Sequence, residues 1–194
     1  MEKVMNVKNN AVLGLKSALM CGLMLFSVGA RANHPLFFPF VDVTSPYIST
    51  SQAYEDEVTF ECSERESQWR YCAEFNYYQV PVFAYFYSHQ GQIDKAVLEL
   101  ESSPVNFTQL QYNLRRDGFE PVLAVTSNGR FDVIERLKKA PEYQVDAELV
   151  QFINQRPIEG EMEMIWVNNA NSAEITATLI YKVETLTLGF TRSK

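Results

Sequence analysis

Residues Val80 to Ser88 (VPVFAYFYS) are rich in β-branched and aromatic side chains. After Gln90-Gly91 the chain resumes as Ile93 to Glu101 (IDKAVLELE), with Ala96, Leu98 and Leu100 in alternation. Two strand-like runs joined by so short a turn pair as an antiparallel hairpin, and the rest of the fold has to be arranged around it.

Further strands are expected on both sides. Val58, Phe60 and Cys62 alternate with polar residues, Pro121 to Thr126 (PVLAVT) is a short apolar run, and Glu161 to Asn168 (EMEMIWVN) alternates again. The last of these predicts a C-terminal hairpin over Asn169–Ser172 with Ala173 to Phe190. That second strand changes phase after Val183, which predicts a bulge near Thr185. Ser127-Asn128-Gly129-Arg130 reads as a type I′ turn leading into a strand over Phe131 to Arg136; the competing reading is a helix from Asp132 to Lys139, ended by Pro141.

Helices are expected after Ser103-Pro104, with Phe107, Leu110 and Leu114 on one face and Gly118 as the C-cap, and over Asp146 to Asn154, burying Leu149, Phe152 and Ile153. Ser63-x-x-Glu66 reads as a capping box opening a short helix that carries Trp69, Cys72 and Ala73. Alternation of Trp69, Tyr71, Ala73, Phe75 and Tyr77 offers a hairpin strand instead; the capping box favours the helix. Hairpins dominate and strict βαβ alternation is missing, so the expected fold is α+β: an antiparallel sheet of hairpins with two or three helices packed on one face.

The N-terminus reads as a cleavable secretory signal over residues 1–32. Lys3, Lys8 and Lys16 precede an apolar run from Ser17 to Val28, which ends in Ala30-Arg31-Ala32. Twelve residues at about 1.5 Å each reach about 18 Å, short of a ~30 Å hydrocarbon core, and Met20 before Cys21 does not fit a lipobox. Cleavage is expected between Ala32 and Asn33, leaving a Pro/aromatic extended arm over 33–56, a single α+β domain over 57–194, and no transmembrane span in the mature chain.

Removing the signal leaves 13 basic residues of the 17 and 23 acids of the 24, so the net charge moves from −7 to −10. Such acidity argues against nucleic acid or anionic membrane as partner. Cys62 and Cys72 alone survive cleavage, and ten residues apart in an oxidising compartment they are expected to form a disulfide. With His34 and His89 as its only histidines, the mature chain offers no metal-site spacing, and neither a nucleotide loop nor a catalytic motif is present, so no cofactor is expected.

Nine aromatics fall between Trp69 and Tyr87. A strand shows its side chains to alternate faces, so some of them, with Tyr78, Tyr85 and Tyr87 the candidates, should lie at a binding surface. The other binding candidates are Phe37, Phe38 and Phe40 in the arm and the acidic Glu55, Asp56 and Glu57. Glu159, Glu161 and Glu163 read as the wet face of a strand, and His89 as a turn residue without a catalytic partner. The function expected is non-enzymatic: a periplasmic or secreted protein that binds another envelope or periplasmic protein, a basic one suiting its acidity, in the manner of an inhibitor, an immunity protein or an envelope-complex subunit. The alternatives are a carrier of a small apolar ligand, with Phe83, Tyr85, Trp166 and Tyr181 around its pocket, and a hydrolase without a recognisable motif.

Overall fold

The computed structural model describes residues 34–55, 59–62, 70–155, 160–168 and 175–193. The expected signal and its Ala32–Asn33 junction, the acids Asp56 and Glu57, the Ser63–Glu66 capping box with Trp69, Glu159 and the Asn169–Ser172 turn lie outside them.

Ten strands among the described residues form one antiparallel sheet: β1 (Ile48–Ser49), β2 (Phe60–Glu61), β3 (Arg70–Tyr77), β4 (Val80–His89), β5 (Gln92–Glu101), β6 (Glu120–Thr126), β7 (Gly129–Asp132), β8 (Met162–Asn168), β9 (Ile175–Tyr181) and β10 (Thr185–Arg192). The order is β2-β3-β4-β5-β10-β9-β8-β6-β7, and β1 pairs with β5 through Ile48 and Ile93. Two meanders, β3-β4-β5 and β8-β9-β10, thus meet at the central β5–β10 pair. The β4–β5 hairpin turns at Gln90 and Gly91, both at positive φ (54° and 79°), as a type I′ turn requires.

The helices among the described residues are α1 (Phe38–Val41), α2 (Thr50–Glu55), α3 (Pro104–Arg116), α4 (Val133–Leu137) and α5 (Glu142–Asn154). Asn113 on α3 donates to the Tyr77 carbonyl, Phe107 meets Tyr181 edge-on at 5.6 Å, and Phe152 on α5 meets Phe131 at 5.6 Å. The face they cover carries Ala84, Phe86, Leu98, Leu188, Phe190, Met164 and Trp166, all fully buried. Helix α4 is tied to α5 by Arg136, whose Nε donates to Glu148 at 2.8 Å. Arg136 and then Gln144 hold the Glu148 carboxyl below the usual carboxylate range. The α+β architecture with helices on one face is as expected.

Four elements differ from the sequence reading. Arg70–Tyr77, expected as helix, is a strand paired along its whole length with β4, because cross-strand partners outweigh a local capping signal. The expected long strand over 173–190 is two strands, β9 and β10, folded back between Tyr181 and Leu186 with Lys182 N–H donating to the Thr185 carbonyl. The phase change therefore marks a turn rather than a bulge. Phe131–Lys139 is partly each alternative: β7 runs to Asp132, whose side chain accepts from Glu135 N–H at 3.0 Å and starts α4. The turn before it is centred on Ser127-Asn128, since Thr126 pairs with Gly129.

The arm is also not extended. Pro35–Phe37 forms a 3-10 turn that runs into α1, and Pro35 and Pro39 sit at helix starts, where the missing N–H costs nothing. Leu36, Phe37 and Phe40 are buried, with the Phe37 ring among Phe75, Tyr77 and Phe190. Arg192, at the end of β10, secures the segment: its guanidinium donates to the carbonyls of Ser45 (2.7 Å), Val43 (3.0 Å) and Pro39 (3.3 Å).

Candidate functional site: the open face of the sheet

Directly paired residues share a face, so the register defines the surface opposite the helices. One row across the strands reads Arg70, Tyr87, Lys95, Thr191. The next runs Phe60, Cys72, Tyr85, Val97, Gly189, Thr178. A third reads Glu74, Phe83, Glu99, Thr187. Over β3, β4, β5 and β10 the face is therefore graded, with cations at one end of the strands, a neutral middle row and carboxylates at the other end; farther across, the first row reaches Glu120 and the third reaches Glu163 and Arg130.

Aromatic contacts knit these rows together. Phe60, 50% exposed, meets Phe83 edge-on at 6.3 Å, and Phe83 meets Tyr85 at 5.0 Å. The Arg70 guanidinium lies 5.3 Å from the Tyr85 ring centroid and 5.0 Å from that of Tyr87, and Lys95 Nζ lies 5.2 Å from Tyr87. Neither cation forms an ion pair with a carboxylate among the described residues, whereas Arg115, Arg130, Arg136, Lys138 and Lys182 do. The Tyr85 phenol is held above its ordinary range by burial first and then by Glu99, with Arg70 opposing. Rigid amphipathic rings flanked by unpaired cations suit recognition of another surface.

The disulfide closes the edge of this face: Cys62 and Cys72 are bonded, with Cα atoms 5.8 Å apart, inside the usual range.

The sequence candidates separate. Tyr85 and Tyr87 are on the open face, half-buried. Tyr78 is at the β3–β4 turn, its hydroxyl bonded to Asp117 Oδ1 and its ring 4.4 Å from the Arg116 guanidinium. Phe37 and Phe40 are inside the core and Phe38 is half-buried, because the arm packs on its own domain. Glu55 is exposed at the end of α2. His89 is exposed at the β4–β5 turn with Nδ1 3.7 Å from Asp94, while Ser88 is buried. Glu163 is exposed at the acidic end of the open face, and Glu161 lies 3.7 Å from Lys182. No cluster of three or more His, Cys, Asp or Glu side chains suited to a metal occurs among the described residues, and no helix among them is long and apolar enough to cross a membrane.

The pocket expected around Phe83, Tyr85, Trp166 and Tyr181 does not form, because the first two lie on the open face and the last two on the covered one. A groove of about 660 Å³ lies instead between α3 and α5, lined by Phe107, Tyr112, Val150, Ile153 and Tyr181. Arg70, Lys95, Phe60 and Gly189 were missed as members of a site. Only the strand register brings them beside Tyr85 and Tyr87.

Compared with known proteins, the chain matches no family, no curated protein and no solved structure.

Proposed function

We propose that this chain is an exported, non-catalytic protein of the bacterial envelope, periplasmic rather than released, that acts by binding protein through the open face of its sheet. The observation that carries this reading is the aromatic cluster on the open face, exposed Phe60 with half-buried Phe83, Tyr85 and Tyr87, beside Arg70 and Lys95, which have no carboxylate partner among the described residues. Aromatic and arginine side chains together are the usual energetic centre of protein interfaces. Export is supported by the charged, apolar and small-residue order of residues 1–32 and by the Cys62–Cys72 bond.

The test is a Tyr85→Ser/Tyr87→Ser variant used as bait beside the parent protein in envelope extract. Both substitutions lie on the uncovered face, so the fold is retained while binding drops at least about tenfold, the effect of losing one or two hot-spot side chains. Undiminished binding by the double variant contradicts the proposal.

The α3–α5 groove favours a second reading, a carrier of a small apolar ligand. Tyr112 and Val150, both exposed on its rim, would contact such a ligand first. Quenching of tyrosine fluorescence by a fatty acid, abolished by Val150→Arg, is the outcome that would favour it over the first.

A further inference from the structure

We infer that the occupant of the open face is a second copy of this chain, the two sheets packing face to face about a two-fold axis that runs along the middle row. This rests on the open face being a docking surface and names what docks there.

A two-fold axis lying in the interface, perpendicular to the strands, leaves each strand opposite its own copy but reversed in direction. The first row then meets the third. Arg70 faces Glu74 of the other copy, Lys95 faces Glu99, and Tyr87 faces Phe83. The middle row meets itself, Phe60 on Phe60, Tyr85 on Tyr85 and Val97 on Val97. Both unpaired cations thereby acquire carboxylates and the aromatics are covered. An isologous interface demands this kind of self-complementarity.

Gly189 supplies a second, independent observation. It sits in the middle row, in the interior of a central strand, where glycine is unfavourable. Its own fold does not need it: its φ is not positive, and an added Cβ would meet nothing closer than the Thr178 carbonyl at 3.9 Å. A glycine that the monomer could replace, placed beside the axis, lets a facing sheet approach closely.

Size sets the strength. Four residues separate the outer rows, about 13 Å, and β2 to β9 span about 24 Å across. With side-chain reach added the patch is of the order of 600 Å² per copy, below the roughly 800 Å² of a standard stable interface. An interface of this size falls in the class of weak, reversible encounters. The dimer's helical layers face outward, leaving both α3–α5 grooves accessible.

Sedimentation equilibrium of the purified protein tests this. Wild type should show a monomer–dimer equilibrium. Lys95→Glu alone and Glu99→Lys alone should each weaken it at least about tenfold through like charges meeting across the axis. Mixing the two single variants should restore association, because each then offers the other its complement, and so should the Lys95→Glu/Glu99→Lys double variant. Gly189→Thr should fold at least as stably as the parent yet stay monomeric. A wild type that stays monomeric at the highest concentration in which it remains dissolved, or no recovery on mixing, overturns the inference. If the wild type is monomeric and Tyr85→Ser/Tyr87→Ser still loses capture of a different protein, self-association fails while the docking face stands. If that variant loses nothing, both fail.

Discussion

The Tyr77 hydroxyl donates to Asp117 Oδ2 at 2.7 Å, tying the β3–β4 turn to the C-terminal end of α3. Asp117 Oδ1 accepts from Tyr78, and the Asp117 carbonyl accepts from Asn168 Nδ2 at 2.9 Å. Tyr78 has φ 58°, a left-handed conformation uncommon outside glycine. The carboxylate holds that turn in place, and α3 with it.

Asp117→Ala should therefore be among the most damaging single substitutions away from the apolar core. It deprives two phenols, one of them buried, of a charged acceptor, at a cost of about 2–4 kcal/mol. At about 2–4 °C per kcal/mol the midpoint should fall by roughly 5–15 °C. Tyr78→Phe, which removes one donor only, should cost about 0.5–1.5 kcal/mol. A thermal melt of both variants checks the order.

Burial first, and then the Asp117 carboxylate, raise the Tyr77 phenol well above its ordinary value. A folded-state pKa raised above the unfolded value means the stabilisation is fully present below the unfolded value of about 10 and is lost as pH rises above it. Urea unfolding of the parent protein should weaken above that pH, and Tyr77→Phe should show a flatter alkaline limb with no change in slope at neutral pH.

Arg192 should anchor residues 39–45 as a fork and not merely as a charge. Three carbonyls accept from its two terminal nitrogens, and its guanidinium stacks 4.4 Å from the Tyr47 ring centroid. Arg192→Lys keeps the charge but cannot reproduce the fork, so both Arg192→Lys and Arg192→Ala should speed amide hydrogen exchange in the 36–42 segment. Protection there equal to that of the parent would show that the buried aromatics alone hold the arm.

Reducing the Cys62–Cys72 bond, or replacing both with Ser, should lower stability by roughly 2–3 kcal/mol by the loop-entropy estimate. The loss should be concentrated in β2 and β3, since the bond ties Cys62, the residue after β2, to Cys72 in β3. Exchange in β8 and β9 read alongside global unfolding separates a local from a general effect.

What the sequence revealed and hid follows from where the determining forces lie. Gln90-Gly91 signalled its turn because glycine accepts positive φ at no cost. The Tyr78-Gln79 turn gave no signal, because the carboxylate that stabilises it is 39 residues away. Lys182 to Glu184 likewise lacks Gly, Pro, Asn or Asp, so β9 and β10 read as one strand. Ser103 and Gly118 framed α3 because capping is local, and Ser103 does accept from Asn106 N–H at 3.0 Å. For the open face, alternation was enough to put Tyr85 and Tyr87 on one side of β4. It could not show that Arg70 and Lys95 flank Tyr87, which depends on register and on the irregularity at Tyr87/Ser88. Nor could it show which side the helices cover.

The side of the molecule that meets its partner can be read by crosslinking. A photoreactive phenylalanine analogue placed at position 85, on the open face, and separately at position 143, where Tyr143 is 77% exposed on α5, reads this directly when the protein is irradiated in the intact envelope. A crosslinked product from position 85 and none from position 143 is the predicted result, at twice the mass of the chain if the partner is a second copy. Products from position 143 alone, or none from position 85, would contradict it.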